Sequence, residues 1–271
     1  MTAADGTQLP AAGARARGGL PEGRRGDAIV TVGALVAFVV GWQALVAVSG
    51  LPVYILPAPG QVGGRLLQAW GDGTMWRHAQ VTIIEIALGF LVGGTFALVA
   101  GYALARSRLV ERALSPYLVA AQATPVLALA PLIALWFGTG ILAKVIICAL
   151  IVFFPVAIVT MVGIRSVDPR LVEMMRSLRA TRGQMIRVLE VPAALPSIFG
   201  GLRIGITLAV IGAIVGEWAG GERGLGVLLN IARGGLFDIP LLFATLVTIA
   251  GLALLLYALV VLAERRVVGA R

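Results

Sequence analysis

One lysine, one histidine and one cysteine are all that 271 residues hold of three chemically versatile side chains. Each scarcity excludes something. With Cys148 alone, neither a disulfide within the chain nor a cysteine metal site can form. With His78 alone, and with no paired acids at one depth, the clustered groups needed for general acid-base work or metal activation are missing, which disfavours a membrane-embedded enzyme. A nucleotide-binding P-loop needs a lysine followed by Ser or Thr behind a glycine-rich turn. Lys144 stands between Ala143 and Val145, so ATP-driven work calls for a second polypeptide. The stretch GERGLG, from Gly221 to Gly226, is only a reordered dinucleotide fingerprint with no strand before it, and carries no weight as a nucleotide site. Charge is scarce as well, at 13% of residues against 59% apolar and a mean hydropathy of +0.97. A soluble surface cannot be built from that balance, so the bilayer is the solvent. The net charge of +9 does not point to nucleic acid, because the arginines are spread between apolar stretches and form no stripe flanked by stacking aromatics.

A helix needs roughly 20 mostly apolar residues to cross the hydrocarbon core. Stretches at about 28–48, 80–105, 113–135, 143–164, 196–216 and 239–263 qualify. They predict an all-α, polytopic membrane protein of six transmembrane helices. The third and fourth would join near Trp136-Phe137-Gly138-Thr139-Gly140, where glycines suit a turn, and the fifth is interrupted by Arg203. Residues 1–27, rich in Ala, Gly and Arg without apolar periodicity, are expected to form a disordered tail. The transmembrane domain then spans 28–266, and 267–271 form a short tail. Arg24-Arg25 before an apolar run could open a signal peptide, but the run is longer than a signal h-region and no clear cleavage site follows, which favours a retained span.

Lysine and arginine collect on the cytoplasmic side of short loops. With both termini inside, the inner segments hold 17 of the 22 basic residues, so both termini are predicted to be cytoplasmic. Close packing of helices in lipid depends on small residues. Gly89, Gly93, Ala97, Gly101 and Ala105 repeat every four residues in the second span, and Gly201, Gly205, Ala209 and Ala213 in the fifth. These stripes suit either a subunit seam or ordinary packing within one chain. Pro125, Pro131 and Pro155 fall inside spans, where neighbouring protein or a wet cavity must satisfy the freed carbonyls. Gln61 to Trp70 can form a short interfacial helix, and Trp70, Trp76, Trp136 and Trp218 fall near the outer face as an aromatic belt requires. Glu85 is embedded in a span and Glu217 lies at the outer end of another. Each is either a solute or helix-pairing contact or a carboxylate that reaches the outer interface. Together with Gln122 and Thr124 they are the candidate solute-pathway residues.

The loop at 165–195 is the most highly charged segment. Asp168 can cap a helix with Pro169 at its first position. Leu171, Met174, Met175 and Leu178 then share one face, while Arg170, Glu173 and Arg176 take others. Thr181 and Gln184 form a capping box for a second helix, expected to end before Pro192. The apolar face of this pair needs a partner, either the membrane surface or a groove on another protein.

This segment resembles the EAA loop of ABC importer permeases, whose pattern is E-A-A, three residues, Gly, nine residues, Ile, one residue, Leu-Pro. Glu173 takes the acidic place, and Leu189 and Val191-Pro192 the apolar and proline places. Met174-Met175 replace the alanines, and Arg179 stands where Gly is usual. The likeness runs from about Leu56 to Arg266: ILPAPGQV, ALAPLIALWFGTG, PAALPSIFGGLRIGI and GERGLG look like the nitrate, sulfonate, taurine and bicarbonate group of permeases. TPVLALAPLIALWFGTG is most similar to permeases for thiamine-precursor pyrimidines or riboflavin. The resemblance implies a type I ABC importer permease in the bacterial inner membrane. It further implies a homodimer, an external solute-binding protein, and two cytoplasmic ATPase subunits that bind ATP and Mg, with no cofactor in this chain. The ATPases would dock on Asp168, Leu171, Glu173, Met174, Met175, Arg176, Leu178, Arg179, Thr181, Leu189 and Pro192. The rival expectation, a secondary transporter or channel, would need midplane ion ligands or a repeated half, and only Glu85 offers a ligand.

Overall fold

The computed structural model describes residues 24–123 and 126–269, and all regular structure among them is helical. The chain divides into two units, 1–50 and 51–271. The first holds α1 (Arg24–Ser49), a helix whose apolar run from Ile29 to Ser49 is long enough to cross a bilayer and has no buried residue. Residues 1–23 of the expected tail lie outside the described residues.

The second unit begins with α2 (Pro59–Gly71) and α3 (Thr74–Arg106). Pro59 presets the first turn of α2, and the Gln61 side chain accepts from the Ala58 N–H at 2.9 Å. Between the helices, the Asp72 carboxylate accepts from the Thr74 N–H at 2.8 Å, a bond that holds its pKa below the usual carboxylate range. Then come α4 (Arg108–Ala123), α5 (Val126–Phe137) and α6 (Ile141–Arg165). The turn before α6 contains Gly138 at φ 80°. The expected third span at 113–135 is helical on both sides of residues 124 and 125, which, with Pro125 among them, lie outside the described residues. Pro131 and Pro155 lie within α5 and α6 without ending them.

Next come α7 (Pro169–Ser177), a short turn α8 (Arg182–Gln184), a π-helical stretch (Met185–Glu190) and α9 (Val191–Ala219). The second helix of the charged loop does not stop before Pro192. It continues into α9, because the widened π turn accommodates a residue that lacks an N–H and crowds the preceding carbonyls. The chain closes with α10 (Leu225–Asn230), a second π stretch (Ile231–Gly235) and α11 (Ile239–Val268). Asp238 caps α11 by accepting from the Leu241 N–H at 3.0 Å. Among the described residues, five helices are long and apolar enough to cross a membrane: α1, α3, α6, the run through α8 and α9, and α11.

Helix α6 packs between α3 and α9. Ile86 of α3, Val152 and Val156 of α6, and Ile206 and Val210 of α9 form the central core. The glycine stripes lie at these two crossings. A Cβ on Gly93 would stand 2.5 Å from the Ala149 carbonyl oxygen, and one on Gly101 2.5 Å from that of Ala157. Gly89 meets Cys148, while Gly201 and Gly205 meet Val159 and Val156. Only a hydrogen at these places lets the backbones approach, which substitutes for the hydrophobic drive that lipid removes. Outward-facing Leu91, Phe96 and Val99 of α3 are well exposed, as a helix surface solvated by acyl chains requires. Helix α11 is joined to its neighbours at both ends, by Arg65–Asp238 at 2.7 Å and Arg203–Glu264 at 3.4 Å.

Candidate functional site

Two polar assemblies stand at opposite ends of the α3–α6–α9 core. The first carries α7. Its N-terminus is set as the residues dictate: Asp168 accepts from the Arg170 N–H at 2.9 Å and Pro169 begins the helix. The apolar face that should seek a partner is bare, with Leu171, Met174 at 52% and Leu178 at 70% exposure, and Val188 beyond the turn exposed as well. Met175 and Leu189 are half-buried. Thr181 and Gln184 exchange the two bonds of a capping box, at 2.8 and 3.3 Å. Between the two helical pieces, Arg179 has φ 55°. A left-handed residue with a Cβ is strained by about 1–2 kcal/mol, which is the physical reason glycine suits this place. Arg179→Gly is expected to raise the stability of the chain by about 1 kcal/mol, read as a higher thermal unfolding midpoint. A lower midpoint would mean that the exposed guanidinium holds the turn together.

The α7 segment rests on a braced platform. Glu190, buried in the π turn, accepts from the Tyr102 hydroxyl and the Arg106 guanidinium, both at 2.9 Å, and so ties the segment to the end of α3. Arg165, at the end of α6, grips Glu111 of α4 with two bonds of 2.6 and 2.7 Å and also donates to the Leu104 carbonyl at 2.8 Å. The Arg165 guanidinium holds the Glu111 carboxyl below the usual carboxylate range. Glu173 and Arg176 line a groove of about 290 Å³ between this platform and α7, while Arg176 remains exposed. These bonds join the π stretch to the end of α3, and the end of α6 to α4 and α3. None of these braces was anticipated from the sequence. The signal was there in Glu190, an acid directly before an apolar helical run, which burial obliges to find a donor.

The second assembly lies at the other end. Glu85 and Glu217 are 1% and 2% exposed, and their carboxyls face each other. Lys144, itself buried, donates to Glu85 at 2.8 Å and reaches the Arg223 carbonyl at 3.4 Å. Glu217 accepts from the Thr82 hydroxyl at 2.6 Å and from the Gly226 N–H. Thr82 in turn accepts from the Leu225 N–H at 2.8 Å, and His78 Nδ1 sits 2.8 Å from the Gly224 carbonyl oxygen, a donor in the tautomer that carries its proton there. This network clamps the stretch 223–226 onto α3, α6 and α9. A Cβ on Gly224, at φ 139°, would fall 2.2 Å from the Glu217 carboxyl carbon. The glycines of GERGLG thus serve this clamp. Glu85 is buried and its ion pair with Lys144 joins α3 to α6, while Glu217 borders a recess. Thr124 and the side chain of Gln122 lie outside the described residues. The sequence signal that points to Lys144 is that a buried acid such as Glu85 needs a cation at its own depth. Among the described residues, no group of His, Cys, Asp and Glu could hold a metal ion.

Residues 93–269 match the family described as binding-protein-dependent transport system inner membrane component. The chain is 49% identical over 234 residues to the riboflavin transport system permease protein RibX of Chloroflexus aurantiacus, across 86% of this chain and 87% of that one. It is 36% identical over 217 residues to the formylaminopyrimidine transport permease protein ThiX of Halalkalibacterium halodurans, across 80% and 86%. It is 30% identical over 231 residues to the taurine transport system permease protein TauC of Escherichia coli, across 83% and 82%. Among solved structures, a chain of the inward-facing MetNI methionine ABC transporter matches with a TM-score of 0.60 at 20% identity, across 72% of this chain and 94% of that one, a likeness of fold.

Proposed function

The chain belongs to the family of binding-protein-dependent transport system inner membrane components, and from that premise we propose that it imports a planar nitrogen heterocycle of the flavin type. It is a permease subunit of an ABC importer, a multi-pass protein of the inner membrane and not an enzyme, and ATP hydrolysis resides on a separate partner. Membership sets aside the secondary transporter and channel. The observation that carries the flavin reading is the 49% identity to a riboflavin permease, against 36% and 30% for the pyrimidine and taurine relatives.

Six crossings, with α4 and α5 forming the third and both termini cytoplasmic, accord best with the distribution of arginine. Two copies of the permease pair in the membrane, two ATPase subunits hold ATP and Mg beneath them, and a solute-binding protein docks outside. The ATPases seat on the bare apolar face of α7. Their closure on ATP pushes α7, and the Glu190 and Arg165 braces carry that push into α3, α6 and α9, which turns the pathway outward. Hydrolysis resets it. The exposure of Leu171, Met174 and Leu178 and the bracing of their platform support this assignment. Proteoliposomes holding the permease, its ATPase and its binding protein should accumulate riboflavin when ATP is present and should not accumulate taurine. Uptake of taurine without riboflavin would sink the flavin reading.

A further inference from the structure

We propose that the recess beneath Trp218 is a subsite for the planar ring of the transported solute, an inference that rests on the flavin reading above. The recess has a volume of about 390 Å³ and is walled by Trp218, Leu229, Asn230, Arg233, Leu242 and Leu246. A second hollow of similar size, bordered by Glu217, Gly220 and Gly221, shares Trp218 and Asn230 with it. Both volumes fall within the range of small-molecule sites, roughly 300–1,000 Å³.

The indole is a prepared platform rather than a loose belt residue. Trp218 is 49% exposed, yet its Nε1–H donates to the Gly226 carbonyl at 3.1 Å. Gly226 is itself held through its N–H by Glu217, which Thr82 fixes in turn. The buried network therefore sets the plane of the ring, and a fixed ring loses little freedom when a flat ligand stacks on it. Asn230 adds an amide able to donate and accept, the complement of a heterocycle edge that alternates carbonyl and N–H. Arg233 adds donors for a carbonyl or an anionic group. Leu229, Leu242 and Leu246 give the recess an apolar wall.

Backbone geometry points to the same place. Arg233 lies in the π-helical stretch Ile231–Gly235, and such turns are frequent at functional sites. Just beyond it Phe237 has φ 51°, a strained conformation for a residue with a Cβ. A lipid chain would need none of the polar groups, and an ordinary helix contact would need neither the π turn nor the anchored indole.

The test is equilibrium binding and uptake with the complete importer in proteoliposomes, using riboflavin and, as the ring without its sugar-alcohol chain, lumichrome. Stacking on an aromatic side chain contributes enough that Trp218→Ala should weaken both probes by about tenfold or more, whereas Trp218→Phe should stay within about threefold of the wild type. Asn230→Leu should weaken riboflavin and lumichrome alike. Size-exclusion chromatography should show each variant still assembled with its ATPase. Wild-type uptake of riboflavin that Trp218→Ala leaves unchanged overturns the recess alone and spares the flavin reading. A Trp218→Ala variant whose two permease copies separate identifies the recess as an interface between copies, which also overturns it. A wild-type importer that carries taurine and binds neither probe overturns both.

Discussion

Leu171→Asp with Met174→Asp should abolish capture of the ATPase while leaving the permease inserted and as stable as the wild type. Both side chains are exposed in the isolated chain, and α7 has no buried residue, so their replacement removes nothing from the core. Surface substitutions of this kind cost about 0.5 kcal/mol or less. In the assembled importer the same positions would lie in the centre of an apolar contact. An aspartate desolvated there costs several kcal/mol, which translates into a loss of roughly a hundredfold or more in affinity. The measurement is co-purification of the ATPase with the solubilised permease, beside a melting curve of the permease alone. An unstable double variant would show that α7 packs on its own chain; a stable one that still captures the ATPase would move the docking surface elsewhere. Glu173→Lys, on another face of the same helix, is the milder companion: insertion stays intact and uptake falls.

Lys144→Met should destabilise the chain by about 3–5 kcal/mol, the penalty of leaving a buried carboxylate without its cation. Glu85 is enclosed by protein, its Oε1 accepts from Lys144, and its Oε2 receives no hydrogen bond among the described residues. The loss would spread to the 223–226 stretch, since Lys144 also reaches the Arg223 carbonyl. The double variant Glu85→Gln/Lys144→Met should recover most of the stability, because replacing both members of a buried pair is far less costly than removing one. Thermal unfolding of both single variants and the double variant measures the coupling, expected at about 2 kcal/mol or more. Simple additivity would refute a paired role and recast Lys144 as an independent topology charge.

The limits of the sequence can be located residue by residue. Apolar run length foretold α3, α6, α9 and α11, because crossing a bilayer is a requirement that one segment meets by itself. Caps were equally legible: the Asp168 N-cap and the Thr181–Gln184 box are bonds between residues a few places apart. The break in the EAA-like pattern at Arg179 was visible as an unexpected residue, and its meaning, a left-handed turn, emerged from the backbone. The π turn through Met185–Glu190 was hidden, since Pro192 is an ordinary stop signal for an α-helix and only the packed helix shows the widened route past it.

The small-residue stripes occupy a middle position. Their spacing announced close helix contact, but not the identity of the neighbour, and it is α6 that fills both grooves. The same division holds for the protein as a whole. By itself, the sequence determined what each segment must do alone: dissolve in lipid, cap its helices, present an apolar face on α7, and leave nucleotide chemistry to another chain. Only the tertiary structure decided which distant groups meet. Lys144 with Glu85, Thr82 with Glu217, Arg106 with Glu190 and Trp218 with Gly226 are pairings across helices. They are set by the crossing of α3, α6 and α9, and no periodicity along a single segment encodes where another helix will lie.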